Sequence, residues 1–294
     1  MKLICPNQKL FSMEIKRKLK KKFNCNFSDL TQSQFDKIVH NYDIVLLRFS
    51  KNINYKNKSK IKYIISPTTG ENHIDPIFFK IKKVKIISLK NESTFLKKIN
   101  ASTELTILLI LNFLRKFPKI LEKYNNDYFG NEINEKRIGI VGYGRIGKKV
   151  HKILKSFGAK IYIYDKKNLR NKKSLNFILR NSDIISIHIP LNKDTKNFFD
   201  KKKLSLIKDK CLIVNTSRGE IIDENFLIKK LKKGKLSYAT DVISNENNRK
   251  KSKILALESK IDNLLITPHI GGLTKESVKK TDEFIIKKFL RYYE

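Results

Sequence analysis

Short apolar runs recur along the first third of the chain and alternate with lysine-rich segments of helical character. The runs are MKLIC, YDIVLLRF, KYIIS and KVKIIS, which begin at residues 1, 42, 62 and 83. Apolar, β-branched runs separated by helices are typical of βα units around a parallel sheet. The pattern therefore predicts a small α/β domain over residues 1–100.

A second alternation begins at residue 136 and is longer. Its runs are KRIGIVGYG, AKIYIYD, SDIISIHIP, KCLIVNTS, LSYATDV and NLLITPH. Six strands separated by helices predict one complete doubly wound parallel sheet.

Two helices are predicted outside these alternations. The periodicity of 101–124 predicts a long helix with Ser102 or Thr103 as its cap, and Pro118 should kink or end it. The amphipathic segment at 274–294 predicts a last helix, which we expect to pack on the amino-terminal domain.

Composition excludes several classes of protein. The chain has 294 residues, of which 40% are hydrophobic and 31% charged, which is too apolar for a disordered chain. The longest apolar run, 107–111, is far shorter than a bilayer requires, and Pro6 breaks the short apolar start, so neither a membrane span nor export is expected. Three cysteines without CxxC spacing argue against a disulfide framework or a zinc site, and no metal is expected. A cytoplasmic location fits these features.

The net charge of +36 could attract nucleic acid, an anionic membrane surface or an acidic metabolite. Only ten of the 64 basic residues are arginine, the residue on which phosphate and base recognition depend most. The lysines are dispersed along predicted helices, and codon bias toward lysine, asparagine and isoleucine would produce the same composition. Nucleic-acid binding is therefore not the favoured interpretation.

The segment GIVGYGRIGKKV contains a glycine-rich motif at the end of a predicted strand. Gly142, Gly144 and Gly147 have G-x-G-x-x-G spacing directly after a predicted strand and at the start of a helix. Such glycines allow a tight turn and the close approach of a pyrophosphate, which the helix amino end attracts. Asp165 ends the next strand, 18 residues after Gly147, where a carboxylate can accept the ribose hydroxyls of adenosine and repel a 2′-phosphate. The sequence therefore predicts a dinucleotide site that prefers NAD to NADP, although Lys166 and Lys167 lie beside this aspartate.

Three later segments each place a reactive group at the carboxyl end of a predicted strand, where open α/β sheets bind ligands. NTSRGEIIDE presents Arg218, YATDVISNE carries Glu246, and TPHIGG carries His269. Singly, each is more often an ordinary loop residue. Together they can converge on one crevice.

Taken with the glycine motif, this order of segments resembles the D-isomer-specific 2-hydroxyacid dehydrogenases. The resemblance covers nearly the whole chain and includes SPTTGENHID at 66–75 and HIPLNKDTKNF at 188–198. It implies a doubly wound (Rossmann) cofactor domain, residues 101–272, inserted in a flavodoxin-like α/β substrate domain, residues 1–100 and 273–294. The implied activity is hydride transfer between NAD and C2 of a small or sugar-derived D-2-hydroxy acid.

The resemblance also implies residue roles. His269 would be the general acid and base, Glu246 would support it, and Arg218 would bind the substrate carboxylate. Family members usually carry proline after this glutamate, and Asn247 stands there instead, so the loop lacks proline's fixed φ. Further residues are expected near the ligands. The cofactor set adds Arg145, Ile146, His188, Pro190, Thr216 and Asp241, and the substrate set is Thr69, Gly70 and Arg48.

Two of these expectations leave alternatives open. Arg48 could meet a second substrate anion or could be an ordinary ion-pair residue at a strand end. The whole chain could be a non-enzymatic NAD sensor or polyanion-binding protein of the corepressor kind on the same fold, although such a protein need not keep Arg218, Glu246 and His269. The resemblance further implies a homodimer formed through the cofactor domain, with the helix at 101–124 as the candidate interface.

Overall fold

The computed structural model describes residues 1–117, 129–166 and 173–294. The chain divides into two compact units, Met1–Ile99 with Leu273–Glu294, and Asn100–Gly272. Both units are α/β with parallel sheets, which confirms the predicted fold class. Among the described residues, no helix has the length and apolar character to cross a bilayer.

The strands, in chain order, are β1 Lys2–Cys5, β2 Asn24–Phe27, β3 Ile44–Leu46, β4 Tyr63–Ser66, β5 Lys85–Ser88, β6 Arg137–Val141, β7 Lys160–Tyr164, β8 Ile184–Ile187, β9 Cys211–Asn215, β10 Leu236–Thr240 and β11 Leu264–Ile266. The helices are α1 Met13–Lys20, α2 Gln32–Ile38, α3 Ser93–Leu96, α4 Ala101–Leu114, α5 Arg145–Ser156, α6 Leu175–Asn181, α7 Lys201–Leu206, α8 Glu224–Lys232, α9 Leu255–Glu258 and α10 Lys275–Tyr293. Short 3-10 helices lie at Gln8–Leu10, Val39–Asn41, Pro76–Lys80, Gly219–Ile221 and Glu246–Lys251.

The first unit is a five-stranded sheet with the order β2-β1-β3-β4-β5, which is the flavodoxin-like order. Because strand side chains alternate, Leu3 and Cys5 of β1 face one layer of helices and Ile4 faces the other. The first layer includes α10, whose buried apolar residues are Ile285, Ile286, Phe289 and Leu290. The last helix of the chain thus completes the core that its first strand begins.

The second unit is a six-stranded sheet with the order β11-β10-β9-β8-β6-β7. The order reverses at β6, with β7 on one side and β8 on the other. In open parallel sheets ligands bind beyond the carboxyl ends of the strands at such a reversal. A ligand is therefore expected beside Gly142, the residue that follows β6.

An ionic cluster lies at the amino ends of these strands, opposite the glycine turn. Asp183, just before β8, accepts hydrogen bonds from the backbone and the guanidinium of Arg137 and forms an ion pair with Lys208. Burial would raise the pKa of Asp183, but the bonds from Arg137 and Lys208 outweigh it and lower the pKa to about 2. The carboxylate consequently favours the folded chain at neutral pH.

Helix α4 differs in detail from the predicted helix. It begins at Ala101 with Asn100 as its N-cap, so the predicted caps Ser102 and Thr103 were wrong and lie inside the helix. The Ser102 hydroxyl instead donates to the Gly271 carbonyl, 3.1 Å away. The helix ends at Leu114. The remainder of the predicted span, 118–124, lies outside the described residues.

Candidate active site

The glycine turn after β6 has the geometry that the motif requires. Gly142 has φ +97°, which favours glycine, and a Cβ on Gly147 would lie 2.1 Å from the Gly142 carbonyl oxygen. Gly144 is the N-cap of the 12-residue helix α5, no side chain caps that helix end, and a Cβ on Gly144 would meet no atom within 4 Å. Open space at an uncapped helix amino end fits a pyrophosphate group. Arg145, Ile146 and Gly147 form the first turn of this helix.

Asp165 follows β7 and faces this turn. Its Oδ2 accepts a hydrogen bond from the Tyr143 N–H, 2.6 Å away, so the carboxylate is fixed against the glycine turn. Lys166 pairs with Asp194 at 3.3 Å, and both side chains are well exposed. Lys167 lies outside the described residues. The carboxylate therefore stands where a ribose next to the pyrophosphate would meet it.

His188 and Pro190 follow β8, on the other side of the turn. The backbone of His188 lies against Gly142, where a Cβ would approach the His188 carbonyl to 2.7 Å. Burial lowers the pKa of His188 to about 3, so the ring is neutral at physiological pH and Nε2 pairs with the Ser186 hydroxyl at 2.9 Å. The Pro190 carbonyl accepts from Thr195 at 2.6 Å. The backbone of His188 is therefore a fixed part of the wall beside the glycine turn.

The loop after β9 carries Arg218 and is organised by Asn215. The Asn215 side chain accepts from the Ser217 N–H at 2.9 Å and donates to the Arg218 carbonyl at 2.9 Å. The Arg218 guanidinium donates to the Ser217 carbonyl at 2.6 Å. Burial lowers the pKa of Arg218, and the nearby carboxylate of Glu246 opposes that shift. Thr216, next to it, shares a hydrogen bond with the Thr106 hydroxyl at 2.9 Å.

Asp241 holds the turn that carries the histidine. Its carboxylate accepts bonds from the Thr267 hydroxyl at 2.6 Å, the Ile270 N–H at 2.8 Å and the Gly271 N–H at 2.7 Å. Within this turn His269 has φ +58°, a left-handed conformation uncommon for a residue with a side chain. Burial raises the pKa of Asp241, and these hydrogen bonds counteract the rise. The sequence placed Asp241 near the cofactor but gave no sign of this bracing role.

Glu246 reaches His269 from the loop after β10. Glu246 Oε2 lies 2.6 Å from His269 Nδ1, and the two side chains are 23% and 14% exposed. So short a contact fixes the orientation of the ring. The structure therefore brings together the histidine and the carboxylate that the sequence proposed as a pair, although Asn247 replaces the family's proline.

The first unit holds the expected substrate residues. Thr69 and Gly70 follow β4, and the Gly70 carbonyl accepts from Thr68 at 2.8 Å. Arg48 is 3% exposed and forms an ion pair with the fully buried Asp282, with a further bond to Thr281 at 3.3 Å. These contacts contradict the interpretation of Arg48 as a group that meets a second substrate anion, because its charge is already neutralised inside the first unit. They support the strand-end ion pair.

Comparison with known proteins decides the family. The NAD-binding domain of D-isomer specific 2-hydroxyacid dehydrogenases matches residues 107–271. The chain belongs to this family. It is an NAD-dependent oxidoreductase, which confirms the class of enzyme and the cofactor expected from its motifs. Among the described residues, no group of three or more histidine, cysteine or acidic side chains could hold a metal ion.

Relatives within the family differ in their substrates. Erythronate-4-phosphate dehydrogenase of Wigglesworthia glossinidia brevipalpis is 32% identical over 100% of this chain and 78% of its own length. An aromatic 2-oxoacid reductase of Clostridium sporogenes is 32% identical over 77% of this chain and 74% of its own. The crystal structure of D-lactate dehydrogenase from Aquifex aeolicus with NAD and lactic acid matches with a TM-score of 0.80 at 22% identity, covering 100% of this chain and 95% of the other. Likeness at that identity shows the shared fold.

Proposed function

We propose that this dehydrogenase transfers hydride between NAD and C2 of a phosphorylated, sugar-derived D-2-hydroxy acid, with His269 as general acid and base. The 2.6 Å contact between His269 Nδ1 and Glu246 Oε2 carries the proposal. A carboxylate at this distance fixes the tautomer with the proton on Nδ1 and holds the ring in one orientation. The ring can then accept the hydroxyl proton at Nε2 during oxidation and return it to the carbonyl oxygen during reduction.

Arg218 supplies the second part of the site. Its guanidinium remains a cation even in a buried position, because the pKa of arginine is so high that burial does not discharge it. A planar fork of N–H donors can bind a substrate carboxylate with two parallel bonds, which a lysine cannot do. We propose that Arg218 binds the carboxylate and polarises the neighbouring C2 oxygen.

The nucleotide binds at the glycine turn in this proposal. The amino end of α5 would receive the pyrophosphate and Asp165 the adenosine ribose. When bound, NADH supplies the hydride that reduces C2. Thr216, Asp241, His188 and Pro190 would border the nicotinamide half, and Thr69 and Gly70 would offer backbone N–H groups to the substrate.

The phosphorylated substrate rests on the relatives and on charge. The relative matched over the whole chain is named for a phosphorylated four-carbon sugar acid, and others are D-3-phosphoglycerate dehydrogenases. A chain with net charge +36 would also concentrate a doubly anionic substrate. We therefore place 4-phosphoerythronate first and 3-phosphoglycerate second among candidate substrates.

We also propose a homodimer formed through α4. This helix is apolar almost all around, and the face that includes Leu105, Leu109 and Ile110 packs on the sheet. Leu108, on another face, is 50% exposed. A helix apolar on every side usually buries all of them. Sedimentation equilibrium of the chain and of Leu108→Glu would test this, since a dimer should become monomeric in the variant.

Turnover followed at 340 nm tests the activity. The panel contains 4-phosphoerythronate and 3-phosphoglycerate with NAD, and glyoxylate, pyruvate and phenylpyruvate with NADH. We expect His269→Gln to lower kcat at least about 1000-fold, since general acid-base catalysis contributes up to about 10⁴-fold. The affinity for NADH should stay unchanged. His40→Gln, a partly buried histidine that bonds Ser59 in the first unit, is the matched control.

Two results would overturn the proposal. Full turnover in His269→Gln would remove the histidine from the chemistry. Tight NADH binding without turnover of any acid in the panel would favour an NAD sensor on this fold.

A further inference from the structure

The loop that delivers Glu246 is packed directly on the segment that delivers Arg218. Gly219 lies against the backbone after β10, and a Cβ on Gly219 would approach the Ile243 carbonyl carbon to 2.0 Å and the Ser244 nitrogen to 2.3 Å. Any larger residue would push the two segments apart. The two segments are therefore in backbone contact.

Two carboxylates from the Arg218 segment hold the backbone of the Glu246 loop. Glu224 Oε2 accepts the Ser244 N–H at 3.0 Å and also bonds the Ser244 hydroxyl. Glu220 Oε1 accepts the Asn245 N–H at 3.2 Å. The two N–H groups belong to the residues immediately before Glu246.

The backbone at this point adopts a costly conformation. Asn245 has φ +54° and ψ +53°, in the left-handed region, directly before the 3-10 helix that Glu246 begins. Asparagine tolerates this region better than most residues but still pays a strain. Hydrogen bonds that the N–H groups of Asn245 and of the residue before it donate to charged acceptors offset that strain.

The free-energy cost of burying the Glu224 carboxylate also has to be offset by favourable contacts. Burial raises the pKa of Glu224, Glu220 adds to the rise, and the bonds from Ser244 oppose it. A half-buried carboxylate whose hydrogen bonds all go to one loop residue is most simply explained by the need to fix that loop.

We infer that Glu220 and Glu224 are positioning residues, which act through the backbone of Ser244 and Asn245 to hold Glu246 against His269. Because both carboxylates follow Arg218 within six residues, the same contact fixes the carboxylate-binding arginine and the partner of the histidine as one unit. The inference rests on the proposed function for the catalytic meaning of Glu246, while the clamp itself is a property of the loop.

Paired substitutions of Glu224 test the clamp. Glu224→Leu removes the acceptor and nearly keeps the volume, whereas Glu224→Gln keeps an oxygen that can accept the Ser244 N–H. Glu132→Leu is the control, because Glu132 is an exposed glutamate of the same unit. Each variant is measured for kcat and for NADH affinity.

We expect Glu224→Leu to lower kcat about 10- to 100-fold with NADH affinity unchanged, which corresponds to the loss of one or two charge-assisted bonds. Glu224→Gln should restore most of the lost kcat. Glu220→Ala, which loses one longer bond, should show the same changes at smaller size and serves if Glu224→Leu fails to fold.

Amide hydrogen exchange of the segment 242–248 provides a readout that does not depend on activity. Its protection should fall at least about tenfold in Glu224→Leu and remain in Glu224→Gln. Unchanged exchange and unchanged kcat in both Glu224→Leu and Glu220→Ala would overturn the clamp. Absence of turnover in the unmodified chain, with protection that still depends on Glu224, would overturn the proposed function and leave the clamp intact.

Discussion

Replacing Asp241 by asparagine separates two roles for this buried carboxylate, contact with the cofactor and support of the histidine turn. Asparagine has the same shape and keeps one acceptor oxygen, which can serve Thr267 and Ile270. Its amide N–H groups would face the Gly271 N–H, now bonded at 2.7 Å, so at least one charge-assisted bond is lost. Such a bond contributes about 1.5–3 kcal/mol.

This loss is large enough to matter at His269. The left-handed conformation of His269 costs about 1–2 kcal/mol, which the three bonds to Asp241 now offset. If the productive conformation of His269 becomes less stable by about 1.4–2.8 kcal/mol, kcat should fall 10- to 100-fold. Because both oxygens of Asp241 already accept bonds from the turn, NADH affinity should change by less than about twofold, or about 0.4 kcal/mol.

The assay pairs steady-state kinetics with NADH fluorescence titration. Asp209→Asn is the control, since it makes the same chemical change at an exposed ion pair with Lys235. A variant that binds NADH at least ten times more weakly and keeps its kcat would refute the bracing role. It would instead support a direct contact between Asp241 and the cofactor. An unchanged kcat and affinity would refute both roles.

Three further predictions concern the cofactor and stability. Asp165→Ala should weaken NAD and raise the ratio of kcat/KM for NADPH to that for NADH, and an unchanged ratio would mean that another group reads the ribose. Asp183→Asn should lower the free energy of unfolding at pH 7 by about 1–2 kcal/mol, less than the full pKa shift implies because Arg137 is 43% exposed. A carboxylate with a lowered folded pKa stabilises above its unfolded pKa, so urea melts of the two proteins should converge between about pH 4 and pH 2; a constant gap would contradict this. Arg48→Met should lower the unfolding free energy by about 3–5 kcal/mol by leaving Asp282 buried without its cation, and adding Asp282→Leu should recover much of it.

The strands of both sheets were largely predictable because ten of them lie in apolar runs or just before a reactive residue. The strand that the sequence did not reveal is β2, Asn24–Phe27, with the letters NCNF. It lies at the edge of the first sheet, pairs only with β1, and is only partly buried, so two of its four positions can be asparagine. An edge strand needs no apolar run, and periodicity therefore carries no signal for it.

The candidate site was predictable as a set of residues and not as a set of contacts. His269, Glu246 and Arg218 follow strands that are neighbours in the sheet, so strand ends alone suggested their convergence. The roles of Glu220 and Glu224 depend on side chains reaching the backbone of another loop, a contact with no fixed spacing along the sequence. The two interpretations of Arg48 could not be separated from the sequence for the same reason, since its partner Asp282 stands 234 positions away.

The long separation of Arg48 and Asp282 along the sequence has a consequence for the order in which the two units fold. The second unit is one continuous stretch, Asn100–Gly272, and can complete its sheet as soon as it has left the ribosome. The first unit begins earlier but needs α10, so its core and the cation of Arg48 must wait until Lys275–Tyr293 has been synthesised. The unit whose synthesis begins first is thus the unit that finishes folding last. It is exposed to chaperones and proteases during that interval.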